Sequence, residues 1–306
     1  MKKSFLLILL ASWVWCHSSL AQIPPLNTEG IERKFLDIPY ASVSPSQKLD
    51  IYLPNEGKGP FPVIVSIHGG AFMMGDKGDM QANAMITGLK HGYAVVSINY
   101  RMSGEALFPK DIQDVKAAIR FIKANASKYQ LNPKKIATWG GSAGGNLAAL
   151  AGTTGGIKEL ENLSLGNADQ NSEVQAVVDW FGPIDFLQMD PQFKLSGKGK
   201  PDHSEANSPE SKILGKQITL IPELVKAANP ATYISKNDPP FFIEHGKEDQ
   251  LVPTQQSINF AAELTKVLGE QKVTLILLEG TRHGGYQFET PENLKKVFEF
   301  LDKYLK

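Results

Sequence analysis

The sequence predicts an α/β fold with a mostly parallel central sheet flanked by helices, and three observations carry that expectation. Short apolar, β-branched runs alternate with longer amphipathic stretches, which is how a βαβ series reads. Hydrophobic residues make up 42% of the 306, enough to bury a sizeable core. No internal repeat or low-complexity tract interrupts the series. With 32 Lys+Arg against 32 Asp+Glu, the neutral balance excludes the footprint of a general nucleic-acid binder. A single cysteine excludes an internal disulfide or a multi-thiolate metal site.

The first 21 residues read as a cleaved secretory signal. Lys2 and Lys3 precede the apolar run Phe5–Ala11, and Ser19-Leu20-Ala21 places small residues before a cut at Gln22. The run is too short to span a bilayer. The bulky Trp15 ahead of Cys16 argues against lipidation of that cysteine. The product is expected in the periplasm or the medium, as one domain over residues 22–306, with no membrane or nucleic-acid partner.

Strands are expected at Phe35–Tyr40, Lys48–Leu53, Val63–His68, Tyr93–Tyr100, Lys135–Trp139, Gln175–Phe181, Pro240–His245 and Lys272–Leu278. The first two read as an antiparallel edge pair. The others are apolar enough to be parallel and buried on both faces. Helical periodicity runs through Asp111–Lys128, Ala143–Ala151, Thr254–Leu268 and Pro291–Tyr304; in the last, Phe298, Leu301 and Leu305 share a face. Residues 186–229 resist the pattern, being rich in Lys, Ser, Pro and Gly with two short helical pieces, Pro209–Leu214 and Pro222–Ala228. A connection this long is either a solvated excursion or a cap over the site.

The chemistry gathers at strand ends. Lys135–Trp139 runs into Gly140-Gly141-Ser142-Ala143-Gly144, followed by an Ala- and Leu-rich helix. A G-x-S-x-G between strand and helix holds the serine hydroxyl proud of the sheet, with the helix N-terminus aimed at it. A serine nucleophile needs a base oriented by a third group, downstream in the order Ser, acid, His. His283, in the glycine-lined loop Glu279–Gly285, is the better base; His245, ending its strand, reads as structural, and His203 as solvated or touching substrate. The loop after Pro240–His245 offers Glu248 and Asp249. Asp249 is preferred for its shorter side chain and the Leu251-Val252-Pro253 anchor beside it. Ala143 supplies one amide where negative charge develops, and the loop His68-Gly69-Gly70-Ala71-Phe72 is the second source. His68 itself reads as bonding within that loop.

Taken in order, His68-Gly69-Gly70-Ala71, Gly140–Gly144, Asp249 and His283 resemble the α/β-hydrolase superfamily. More narrowly, the chain is similar to secreted bacterial carbohydrate esterases of the acetylxylan and feruloyl type, near the hormone-sensitive-lipase-like esterases. Asn99-Tyr100-Arg101, Phe108-Pro109 with Asp111 and Asp114, Asn132-Pro133 and Ser208-Pro209-Glu210-Ser211 agree with that likeness. The resemblance implies Ser142 as nucleophile, His283 as base then acid, Asp249 as its orienter, and the amides of Gly70, Ala71 and Ala143 as an oxyanion hole. It also implies an esterase that needs no metal or cofactor, acting on acetyl or aromatic acyl groups of plant polysaccharide. Ala71 stands where a third glycine is usual, and residues 22–34 are too few for the helical cap of the hormone-sensitive-lipase branch. Two other readings use the same residues: a prolyl-oligopeptidase-type peptidase or lipase, and an inactive binding module.

Overall fold

A computed structural model describes residues 23–306; the expected signal segment, with Cys16, lies outside them. Eight strands form one sheet: β1 (Lys34–Pro39), β2 (Lys48–Tyr52), β3 (Phe61–Ile67), β4 (Ala94–Ile98), β5 (Leu131–Gly141), β6 (Ala176–Trp180), β7 (Phe241–Gly246) and β8 (Val273–Leu278). Their spatial order is β1-β2-β4-β3-β5-β6-β7-β8. The pairs β1/β2 and β2/β4 are antiparallel, and every neighbour from β4 to β8 is parallel. This is the α/β-hydrolase architecture that the sequence led us to expect.

The helices are α1 (Asn83–Ile86), α2 (Lys110–Ala124), α3 (Ala143–Thr153), α4 (Phe186–Ser196), α5 (Pro209–Leu214), α6 (Pro222–Ala227), α7 (Gln255–Leu268), α8 (Tyr286–Glu289) and α9 (Pro291–Leu305). None of them is long and apolar enough to cross a membrane. Side chains along a strand alternate between faces, so consecutive residues of β3 enter different cores. Val63 and Val65 join Ile119 of α2 and Leu147 of α3, whereas Ile64 joins Phe298 and Leu301 of α9. The sheet is thus covered on both sides, which its uniformly apolar inner strands require.

The topology also fixes where a ligand can sit. Chain order reverses about β3, with β4 on one side and β5 on the other. In open α/β sheets the crevice beyond the carboxyl ends at such a switch point is where ligands bind. The loop Gly69–Phe72 leaves β3 there, and Ser142 leaves β5 beside it.

Three expectations need correction. β5 begins at Leu131, four residues early, because Leu131 pairs with Phe61 of β3. α2 stops at Ala124 rather than Lys128, with Asn125 as its cap. The segment 186–229 is neither a solvated excursion nor poor in structure. Asp185 caps α4 by accepting from the Leu187 amide, and Phe186, Met189 and Phe193 are buried on it. Farther along, Ile213, Leu214, Ile218 and Val225 pack into the same core as α2 and α3.

Candidate active site

The turn between β5 and α3 is dictated by its glycines. A Cβ on Gly140 would lie 2.2 Å from the Gly144 carbonyl oxygen, and one on Gly144 would lie 2.1 Å from that of Ile67. Both contacts are with backbone, so neither position admits a larger residue without moving the turn. Between them Ser142 is held at φ 58° and ψ −124°, a conformation that L-residues other than glycine avoid. Its amide donates to the Trp180 carbonyl at 2.9 Å, tying the strained residue to β6.

Three side chains from three loops converge here. The Ser142 hydroxyl lies 2.9 Å from His283 Nε2, and His283 Nδ1 lies 2.7 Å from Asp249 Oδ2. Because Nδ1 faces a carboxylate it carries the proton, which leaves Nε2 to accept from Ser142. Asp249 is buried, with four donors about it. Its Oδ1 accepts from the amides of Leu251 (2.8 Å) and Val252 (2.9 Å), and its Oδ2 also faces His245 Nε2 at 3.1 Å. Burial pushes this carboxyl's pKa up, but the hydrogen bonds from His245 and His283 outweigh it and hold Asp249 well below the usual carboxylate range. Glu248 instead pairs with Lys198 at 2.9 Å on the surface.

The β3 loop reaches the same point. Gly70, Ala71 and Phe72 all have positive φ (110°, 55° and 59°), which curls the chain back so that the amides of Met73 and Met74 bond the Gly70 carbonyl. Among the described residues, the amides of Gly70, Ala71 and Ala143 donate to no protein acceptor. A Cβ on Gly69 would lie 3.3 Å from Ser142 Cβ, so this loop rests on the turn that carries Ser142. His68 is buried, stacked on Tyr100 with ring centroids 4.5 Å apart, and its Nδ1 bonds the Gly69 carbonyl at 2.8 Å. Burial lowers its pKa, so it braces the loop as a neutral ring.

A cavity of about 460 Å³ opens over Ser142 and His283. Its apolar lining includes Ile67, Met74, Met80, Met85, Phe181, Leu251 and Phe288. None of the residues that line it comes from the segment 186–229. The expectation for His203 fails: it is mostly buried, 3.0 Å from Glu210 and stacked on Phe193, away from the cavity. A larger groove of about 710 Å³, between residues 27–31 and 83–92, contains none of the three converging side chains.

The sequence reading missed two groups at the site. Phe181 sets its ring 4.7 Å from that of His283, edge to face, and so fixes the imidazole's plane. Gln81 lines the cavity and accepts from the Gly69 amide at 2.9 Å. A lone apolar residue after a strand and a lone glutamine carry no motif that would have signalled either.

Comparisons with known proteins place the chain among esterases by family and fold. The BD-FAE family profile matches residues 49–264. Esterase LipQ of Mycobacterium tuberculosis is 32% identical over 254 residues, covering 81% of this chain and 57% of LipQ. The chain spans little more than half the length of such curated relatives. A truncated carbohydrate esterase from gut microbiota superposes with a TM-score of 0.82 at 36% identity, covering 91% of this chain and 98% of that one. The bifunctional GH43-CE of Bacteroides eggerthii gives 0.77 at 39% identity, over 88% of this chain and 35% of its own.

Proposed function

This chain belongs to the BD-FAE family, and from that membership we propose that it is a serine carboxylesterase that removes acetyl or aromatic acyl groups from plant polysaccharide or oligosaccharide. The observation that carries the reading is the relay Asp249–His283–Ser142, with links of 2.7 and 2.9 Å, at the floor of an apolar cavity. The two carbohydrate-esterase structures support a sugar as the alcohol half, and export before Gln22 belongs to the same reading.

In the proposed reaction the Ser142 oxygen attacks the ester carbonyl while His283 Nε2 takes the hydroxyl proton. Asp249 stabilises the imidazolium that forms. Negative charge on the carbonyl oxygen is met by the amides of Gly70, Ala71 and Ala143, which no acceptor among the described residues competes for. As the intermediate collapses, His283 returns the proton to the departing sugar oxygen and the acyl group remains on Ser142. Water, deprotonated by the same His283, then releases the acid and restores the hydroxyl.

Ser142→Ala should lower kcat on short p-nitrophenyl esters by roughly 10⁴-fold or more. Activity persisting in that variant would sink the assignment. Wild-type release of acetate or ferulate from xylan, set against triglyceride emulsions and prolyl peptides, chooses between the carbohydrate reading and a lipase or peptidase. A protein inert on the whole panel would be a binding module.

A further inference from the structure

Gln81 sits in the turn Met80–Ala82, between two methionines that wall the cavity, Met80 and Met85. Its orientation is settled by chemistry. The Gly69 amide can only donate, so the atom 2.9 Å from it is the carboxamide oxygen, and the other end of the group is the NH₂. That NH₂ has no acceptor among the described residues, although Gln81 is half-buried and lines the cavity. It is also close to the reaction. A Cβ built on Gly69 would fall 3.0 Å from Gln81 Oε1 and 3.3 Å from Ser142 Cβ, so carboxamide and nucleophile flank one point. Among the cavity's lining side chains, Ile67, Met74, Met80 and Met85 offer no oxygen to an N–H donor, and the oxygens of Ser142 and Glu289 are not hydrogen-bonded to the Gln81 NH₂.

The Gln81 NH₂ is open to the cavity, where water meets it until a ligand enters; a ligand that displaces that water without supplying an acceptor strands the donor, and one that supplies an acceptor is recognised by doing so. We propose that Gln81 is a specificity-determining residue that donates to the substrate's alcohol half, namely to a free hydroxyl on the sugar carbon next to the ester. For an acetyl ester, the substrate used in the test below, the acceptor belongs to the sugar, because an acetyl group carries no polar atom besides the ester's own oxygens, and those oxygens are common to every ester. This assignment rests on the carbohydrate-esterase reading above and adds which part of the sugar is read.

The test compares two substrates, a mono-O-acetyl methyl xyloside with a free vicinal hydroxyl and its counterpart deoxygenated at that carbon. p-Nitrophenyl acetate serves as a substrate with no such hydroxyl. Wild-type enzyme should favour the hydroxylated sugar about 10-fold in kcat/KM, and Gln81→Met should bring the ratio to about one. Gln81→Glu, which keeps an oxygen for the Gly69 amide but lacks the donor, should also lose the preference. Because the readout is a ratio, a general loss from a loosened glycine loop cancels. A wild-type ratio of one, or an unchanged ratio in both variants, overturns the role of Gln81 while leaving the esterase reading intact. Hydrolysis of p-nitrophenyl acetate with neither sugar ester touched overturns the carbohydrate reading, and this inference with it.

Discussion

At the scale of single residues, Asp249 is the best-held group in the site, and His245 is half the reason on one of its oxygens. His245 Nε2 lies 3.1 Å from both Asp249 Oδ2 and the Val252 carbonyl, while its Nδ1 is 2.7 Å from Ser257 Oγ. Two acceptors facing Nε2 place the proton there, so His245 donates to the carboxylate, and Nδ1 takes the hydroxyl of Ser257. A buried carboxylate with a depressed pKa contributes stability above its ordinary value near 3.8 and loses it only in strong acid. Removing one donor makes Asp249 the stronger partner for the His283 imidazolium but loosens its orientation. His245→Leu should therefore lower kcat about 10- to 100-fold with little change in KM, comparable to the loss of an outer-shell partner. The acid limb of its kcat/KM profile should move to higher pH, and His245→Gln should recover part of the rate. A variant that only melts earlier, with wild-type kcat and pH profile, would reduce His245 to a structural residue.

At the scale of elements, the turn that carries Ser142 depends on what lies beneath it. Asp179 of β6 is fully buried against α3: a Cβ on Gly145 would lie 2.4 Å from its Oδ1, and that oxygen accepts from the Gly182 amide at 3.0 Å. Burial pushes its pKa up to about 7, despite the Gly182 hydrogen bond. The folded state thus keeps a proton that the unfolded chain releases near 3.8, so this group's stabilisation is complete below that value and declines as pH rises towards 7. Asp179→Asn mimics the protonated form at every pH. In urea melts at pH 5 and pH 8, its stability relative to wild type should rise with pH, to about 3 kcal/mol. A variant less stable than wild type at pH 8 would contradict that origin. Elements of this kind were legible where the pattern was local. The strand, the two obligatory glycines and the Ala-rich helix around Ser142 are contiguous, and the apolar inner strands declare burial on both faces. The helix α4 was not, because Pro191 and polar residues dilute Phe186, Met189 and Phe193. Nor were Gln81 and Phe181 legible at the site, since only strand order brings them to Ser142.

At the scale of the whole molecule, part of the stability is built far from the site. The converging loops occupy the carboxyl edge of the sheet, whereas α2 lies on one face and reaches the distant segment 154–172 through buried charge. Lys116 and Arg120, both fully buried, meet Glu161 at 3.1 and 2.5 Å, and they also donate to the carbonyls of Thr154 (2.6 Å) and Asn162 (2.8 Å). Burial lowers the pKa of Lys116, so its charge is sustained by the Glu161 carboxylate. One carboxylate between two cations is a vulnerable arrangement, because deleting it strands both in a low-dielectric interior. Glu161→Ala should cost about 3–5 kcal/mol of unfolding free energy. None of these groups lines the cavity over Ser142, so kcat/KM on a short ester at 25 °C should stay within about twofold of wild type while the variant remains folded. Replacing Lys116, Arg120 and Glu161 together by apolar residues of similar volume should recover most of the loss, since well-packed apolar triads match buried ionic ones. Urea denaturation of the two variants beside wild type decides the matter. If Glu161→Ala is as stable as wild type, the buried charges are not what fastens the 154–172 segment to α2.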